Sequence, residues 1–223
     1  MLQRGLAGMP GWQGCNQLRQ HSGQADDHIV PGLADHLESY LGQIAGASKG
    51  DTATPTALHV VWFGPDVPFE GAFTISTLGL SNRHLTQPSG TGLHREILMH
   101  FQTSKRPPNA SSLLFQIAGE LIDRSSGLLR GEVIGPRGRL FGTGALTALY
   151  SAAPVYLPDG FAVCTEENRK IVLTWLVPIT DNEADFVRTH GWSAFENALV
   201  KENPDLTDMD RDSIAGARHH GDR

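Results

Sequence analysis

Nine consecutive residues, Ile171 to Ile179 (IVLTWLVPI), carry no charge and only one hydroxyl, that of Thr174. So apolar a run has no polar face to turn to solvent, and it reads as a central strand buried on both sides. It is about half the length a membrane-spanning helix needs. Two helices are predicted directly after it. Thr180 with Glu183 forms a capping box, as does Ser193 with Glu196, and Gly191 separates the pair.

The rest of the chain supplies partners for that strand. Leu33, Leu37, Tyr40, Leu41 and Ile44 recur at spacings of three and four, which predicts an amphipathic helix started by Pro31 and stopped at Gly46. A polar linker, Ala47 to Thr56, leads to a strand at Ala57–Phe63. GPDVPFEG then turns the chain, and Phe73, Ile75 and Thr77 give the next strand one apolar face. Ile97, Met99 and Phe101 alternate likewise in Leu93–Phe101, with Glu96 near the strand start. Leu113, Leu114, Ile117, Ala118, Leu121 and Ile122 share one face of a second helix after RPPNASS, bounded by Gly127 and Gly131. Glu132–Ile134, ALTALYSA and FAVCT are further strand candidates. The expected fold is α+β, a mixed, mostly antiparallel sheet of about six strands flanked by about four helices. Its core is expected at Leu33, Leu37, Leu41, Val61, Phe73, Ile75, Ile97, Phe101, Ile117, Leu121, Val172, Leu173, Trp175 and Val177.

At 223 residues the chain can bury one full core. Residues 1–28, rich in Gln and Gly, read as a disordered leader; 29–214 read as one domain, and 215–223 as a disordered tail. The acidic stretch after Pro204, DLTDMDRDSI, reads as exposed. A net charge of −6 without a basic cluster argues against nucleic acid as a partner. The two cysteines, Cys15 and Cys164, form neither a disulfide framework nor a zinc motif, and Cys164 reads as a small buried hydrophobe. With no apolar leader or span, the expected location is cytoplasmic, with no membrane partner.

Motifs for chemistry are incomplete. GPRGRLFGTG, Gly135 to Gly144, lacks both the spacing of a dinucleotide fingerprint and the Lys-Ser/Thr of a phosphate loop, so it reads as an inter-strand loop. His94 and Glu96 share a strand face, but no third metal ligand accompanies them. Ser81, in GLSN, has the first Gly of a hydrolase elbow without the second and reads as a turn residue. Glu132, after Gly131, is a carboxylate at a strand start, either an edge charge or a docking group. No catalytic residue, metal ligand or cofactor is assigned.

Several stretches, in order, resemble the suppressor of fused domain family. TLGLSN at Thr77–Asn82 is similar to its T-x-G-[LM]-S-[DN] element, and Glu96-Ile97 within LHREILMHF occupies the Glu-Leu position of the strand that follows. LFQIAGELIDRSSGLLRGEVI resembles the family's helix and its G-D/E strand start, here Gly131-Glu132. Pro178, Ile179, Glu183 and Gly191 match the hydrophobic strand and the helices after it, and Asp208, Arg211 and Ser213 match a terminal D-x-x-R-x-S stretch. The resemblance covers Ala57 to Ile214.

It implies a non-enzymatic protein-binding module. Animal members carry a second domain and hold a peptide between the two, whereas this match implies the single-domain bacterial form. Many of those are thought to be immunity proteins, so the implied partner is a toxin, with Glu132 contributing to its binding. The competing classes are a hydrolase or metal enzyme using Ser81, His94 or Glu96, and a chaperone-like adaptor.

Overall fold

The computed structural model describes residues 32–50, 57–87, 90, 92–142, 144–166 and 169–215. Residues 1–28, Cys15 and Pro31, and the histidines of the tail, lie outside them. The described elements are α1 (Leu33–Leu41), β1 (Ile44–Lys49), β2 (His59–Phe63), β3 (Ala72–Leu78), β4 (Leu85–Thr86), β5 (Gly92–Gln102), α2 (Ala110–Asp123), β6 (Val133–Ile134), β7 (Leu146–Ala152), β8 (Val163–Glu166), β9 (Arg169–Thr180), α3 (Asp181–His190) and α4 (Trp192–Glu202). The class is the expected α+β, but the sheet has nine strands where about six were expected. The unexpected strands are β1, whose residues read as a helix end and a linker, and β4, whose two residues are too few to carry an alternation; β6 forms where a short strand was expected.

The strand order is β1-β2-β3-β5-β9-β7-β6, with β4 added to β5 and β8 added to β9. Only the β5–β9 pairing is parallel among the described ladders. β9 therefore sits inside the sheet, as its composition requires, and all of the expected core is buried except Val172, which is half-buried.

Alternation sorts the core into two layers. Val60, Phe73, Ile75, Ile97, Met99, Phe101, Leu149 and Leu176 face α2, whose Leu113, Leu114, Ile117, Ala118 and Leu121 cover them. Val61, Phe63, Leu98, Tyr150, Trp175 and Val177 face the other way, onto α1, α3 and α4. β3 is buried on both sides, not on one, because helices cover both faces of the sheet.

Three expectations are corrected. The first helix does not run to Gly46: Gly42, at φ 76°, ends it, and Ile44–Lys49 turns back to pair antiparallel with β2. Part of the predicted linker is thus an edge strand. The stretch after Pro204 is not exposed either: Leu206 enters the layer under α3 and α4, while Met209 enters the layer under α2. That segment wraps one end of the sheet and is tied there by Gln102 N–H donating to the Thr207 carbonyl at 3.0 Å. Finally, α4 starts at Gly191 without a side-chain cap, so Ser193 and Glu196 form no capping box. The Thr180–Glu183 box forms as expected.

Candidate partner-binding site

Most of the polar residues that carry the motifs are buried fasteners. Glu96 lies inside β5, and its carboxylate accepts from the backbone N–H groups of Gly79, Leu80 and Ser81 at 2.9, 3.2 and 3.0 Å. Gly79 takes φ 108° to present them, and a Cβ there would lie 2.1 Å from the Ala57 carbonyl oxygen. Ser81 is 1% exposed, and its carbonyl accepts from His94 Nδ1–H at 2.7 Å. His84 and His94 approach to 5.5 Å between ring centroids, but among the described residues no three His, Cys, Asp or Glu are grouped to hold a metal. Glu183 is fully buried; it caps α3 through Thr180 N–H and receives both Nη atoms of Arg211.

His100 is also buried, on β5. Thr74 Oγ1 donates to the Val67 carbonyl and so accepts from His100 Nδ1–H at 2.8 Å, which leaves Nε2 without a proton. Burial holds this imidazole down to about 3.

Glu132 differs from these. It is half-buried, precedes the edge strand β6, and pairs with Ser151 through Ser151 N–H donating to its carbonyl at 2.9 Å. One carboxylate oxygen accepts from Leu129 N–H at 2.9 Å, and the other carries no such backbone bond. On the same sheet face lies Arg95, buried, donating to Thr174 Oγ1. Burial lowers Arg95 to about 10, partly offset by the charge of Glu132.

Beside this edge a cleft of about 250 Å³ opens between α4 and strands β7 and β9. Gly131, at φ 90°, seats its neighbour: a Cβ there would lie 2.5 Å from Trp192 Cβ. The Trp192 indole, 44% exposed, lies under the Arg130 guanidinium at 4.8 Å. Arg130 Nε donates to Glu196 Oε1 at 3.0 Å, and Tyr150 Oη donates to the same oxygen at 2.9 Å. Burial first, and Glu196 second, push the Tyr150 phenol upward, so it stays a donor.

The suppressor of fused protein family model matches residues 54–212. The chain belongs to the suppressor of fused family. Among solved structures, a suppressor of fused homologue from Neisseria gonorrhoeae FA 1090 superposes with a TM-score of 0.64 at 16% identity, over 80% of this chain and 92% of that one. A chain of the Sufu–Fu complex gives 0.63 at 17%, over 83% and 93%. Drosophila Suppressor of Fused gives 0.53 at 18%, over 70% of this chain and 42% of that one. At these identities the likeness is one of fold. None of the curated proteins matches the chain in sequence.

In this suppressor of fused domain the structure brings Arg130, two residues before Glu132, to the cleft and leaves Glu132 outside its lining, and it gathers Ser81, Glu96 and His94 in a different region, where β5 meets the turn between β3 and β4. No sequence motif marks Tyr150, Trp192 or Arg130, and Glu196, expected in a cap, joins them instead. The one available signal was Trp192, a large aromatic directly after Gly191 where a helix begins; its exposure depends on the packing of Gly131 against it.

Proposed function

We propose that this domain is a non-enzymatic protein-binding module whose partner docks at the Gly131–Glu132 edge. The observation that carries the reading is the contrast among the motif carboxylates. Glu96 and Glu183 are spent on buried backbone and guanidinium groups, whereas Glu132 is at the surface at the end of a sheet. A carboxylate there can meet a partner's cation, and an edge strand can accept an added strand. Ser81 and Glu96, the groups an enzyme would need, are held as parts of a turn, which favours binding over hydrolysis. One structural neighbour is itself part of a protein complex, that of Sufu with Fu.

More narrowly, the domain, residues 29–214, acts in the cytoplasm as a bacterial immunity protein that neutralises a cognate toxin by covering it. Affinity purification of the full chain from its native cell, followed by mass spectrometry, tests this. A single dominant toxin supports the immunity role. Several unrelated chains would replace it with a chaperone-like adaptor, and an activity lost on Ser81→Ala would overturn the binding-only reading.

A further inference from the structure

A chain of hydrogen bonds enters the sheet from the turn before β3, and its direction is fixed at the outer end. The Val67 carbonyl can only accept, so Thr74 Oγ1 donates to it at 2.7 Å. The same oxygen then accepts from His100 Nδ1–H at 2.8 Å, directly across the β3–β5 ladder. With its proton on Nδ1, the neutral ring carries a bare lone pair on Nε2. His100 is fully buried, and that nitrogen has no hydrogen-bond partner among the described residues.

The next strand holds the complementary orphan. Trp175, on β9, lies opposite Leu98 in the parallel β5–β9 ladder, and His100 is two residues beyond Leu98 on the same face. The two rings come to 5.2 Å between centroids, tilted by 60°. Trp175 is 1% exposed, and its Nε1–H also lacks a partner among the described residues. An indole N–H donates and never accepts, so one ring lacks an acceptor and the other a donor. Buried polar groups left unpaired are costly and rare, and here two of opposite kind occur in neighbouring rings.

Whatever joins them must accept from the indole and donate to the imidazole. A cation would oppose the indole proton and an anion the imidazole lone pair, so the occupant is neutral and hydroxylic. One oxygen at about 2.9 Å from each nitrogen holds the two about 4.5–5 Å apart, a span that these rings allow. The Tyr156 ring lies against both, at 6.0 Å from His100 and 4.8 Å from Trp175, so the occupant is small.

We infer that one internal water bridges Trp175 and His100, accepting from Nε1–H and donating to Nε2. The chain then runs one way without a break, from indole to water to imidazole to threonine to the Val67 carbonyl. It joins β9, β5, β3 and the turn before β3 through side chains alone, and bonds aligned in this manner polarise one another. The water holds the tautomer of His100 from one side as Thr74 holds it from the other.

The test uses the full chain labelled with 15N, with water itself as the probe and Trp175→Phe to assign the indole resonance. The expected result is an NOE and a ROE from Trp175 Hε1 to the water line, with the signs of a molecule held longer than the protein tumbles. The imidazole spectrum should show His100 protonated at Nδ1 and bare at Nε2. The Trp192 indole, 44% exposed, should show only the brief contacts of surface solvent. Hydroxyl protons exchange with water and relay such signals, so Tyr156→Phe is recorded beside wild type, and the contact should persist in it. A crystal structure of the wild-type chain that shows ordered solvent should place one oxygen within hydrogen-bonding distance of both nitrogens. Loss of the contact in Tyr156→Phe would assign the bridge to that hydroxyl, and a scalar coupling between the two nitrogens would show a direct bond. A proton on Nε2 would leave the water nothing to donate to. Each of these overturns the inference, as does a Trp175 indole with no long-lived water or a crystal structure with no oxygen between the rings.

Discussion

Glu183 and Arg211 form a buried bidentate ion pair, with Nη1 to Oε1 at 2.7 Å and Nη2 to Oε2 at 2.8 Å, side chains 0% and 5% exposed. It joins the start of α3 to the segment that wraps the sheet. Arg211 also donates to the Pro178 carbonyl, and Ile214 N–H donates to Glu183 Oε1, so the carboxylate anchors strand, helix and C-terminal segment together.

Breaking this pair from one side leaves a buried charge alone. Arg211→Met is therefore expected to destabilise the domain by about 3–5 kcal/mol, measured by urea unfolding at neutral pH. Loss of less than about 1 kcal/mol would mean that the segment after Pro204 detaches at little cost.

Arg95 is expected to behave oppositely. Its guanidinium is buried, Thr174 is its hydrogen-bonded partner among the described side chains, and its Nε has none. No carboxylate among the described residues forms an ion pair with it. Removing a poorly compensated buried charge is neutral or favourable, so Arg95→Met should change stability by between 0 and about +1 kcal/mol. A loss of several kcal/mol would show that its interaction with Glu132 is structural.

Glu96 tests whether the turn after β3 is a fold element or a reaction centre. Glu96→Ala leaves three backbone donors without their acceptor, at about 1–3 kcal/mol each, softened by whatever water enters. Glu96→Gln keeps one acceptor oxygen and should lose less. Unfolding curves that rank wild type above Gln above Ala, with partner binding by the folded fraction unchanged, are the expected result.

His100 makes stability depend on pH. Its folded value of about 3 lies below the unfolded value of about 6.5, so between these limits the unfolded chain binds more protons. Stability contributed by the neutral ring is present in full above about pH 6.5 and is lost as pH falls, at up to about 1.4 kcal/mol per pH unit. His100→Asn preserves the donor to Thr74 and removes the titration. Urea midpoints measured from pH 4.5 to 7 should fall less steeply with acid in that variant; identical slopes would mean that the folded ring takes up a proton as readily as the unfolded one.

Glu132→Lys separates docking from folding. The hydrogen bond to Leu129 is lost, at about 1 kcal/mol or less, and the buried Arg95 loses the charge that offsets its burial, so Glu132→Gln is melted beside Glu132→Lys to separate the two effects. Partner affinity should fall by about 2–5 kcal/mol if the carboxylate is enclosed on binding. Calorimetry with the purified partner reads the second, and a melting curve reads the first. Unchanged affinity would make Glu132 an ordinary edge charge.

Whatever depends on neighbours a few residues apart was legible in the chain. The apolar run Ile171–Ile179 had to be an inner strand, the spacing Leu114, Ile117, Ala118, Leu121 had to be a helix face, and Thr180 with Glu183 had to be a cap. Each rests on a period or a hydrogen bond that spans at most one or two turns. The order of the motifs also carried the family resemblance and pointed to Glu132. Which strands are neighbours, and everything fastened across them, came from the fold as a whole. Ile44 continues the apolar period of α1 and still leaves the helix, because pairing with β2 offers it a ladder that a local pattern cannot register. Glu96 reaches its N–H groups across 15 to 17 residues, Arg211 reaches Glu183 across 28, and Tyr150 reaches Glu196 across 46. That last contact joins α4 to β7 in the wall of the cleft. Such contacts are fixed by strand order, and strand order follows from burying all the apolar faces at once, a condition on the whole chain that no short window of it contains.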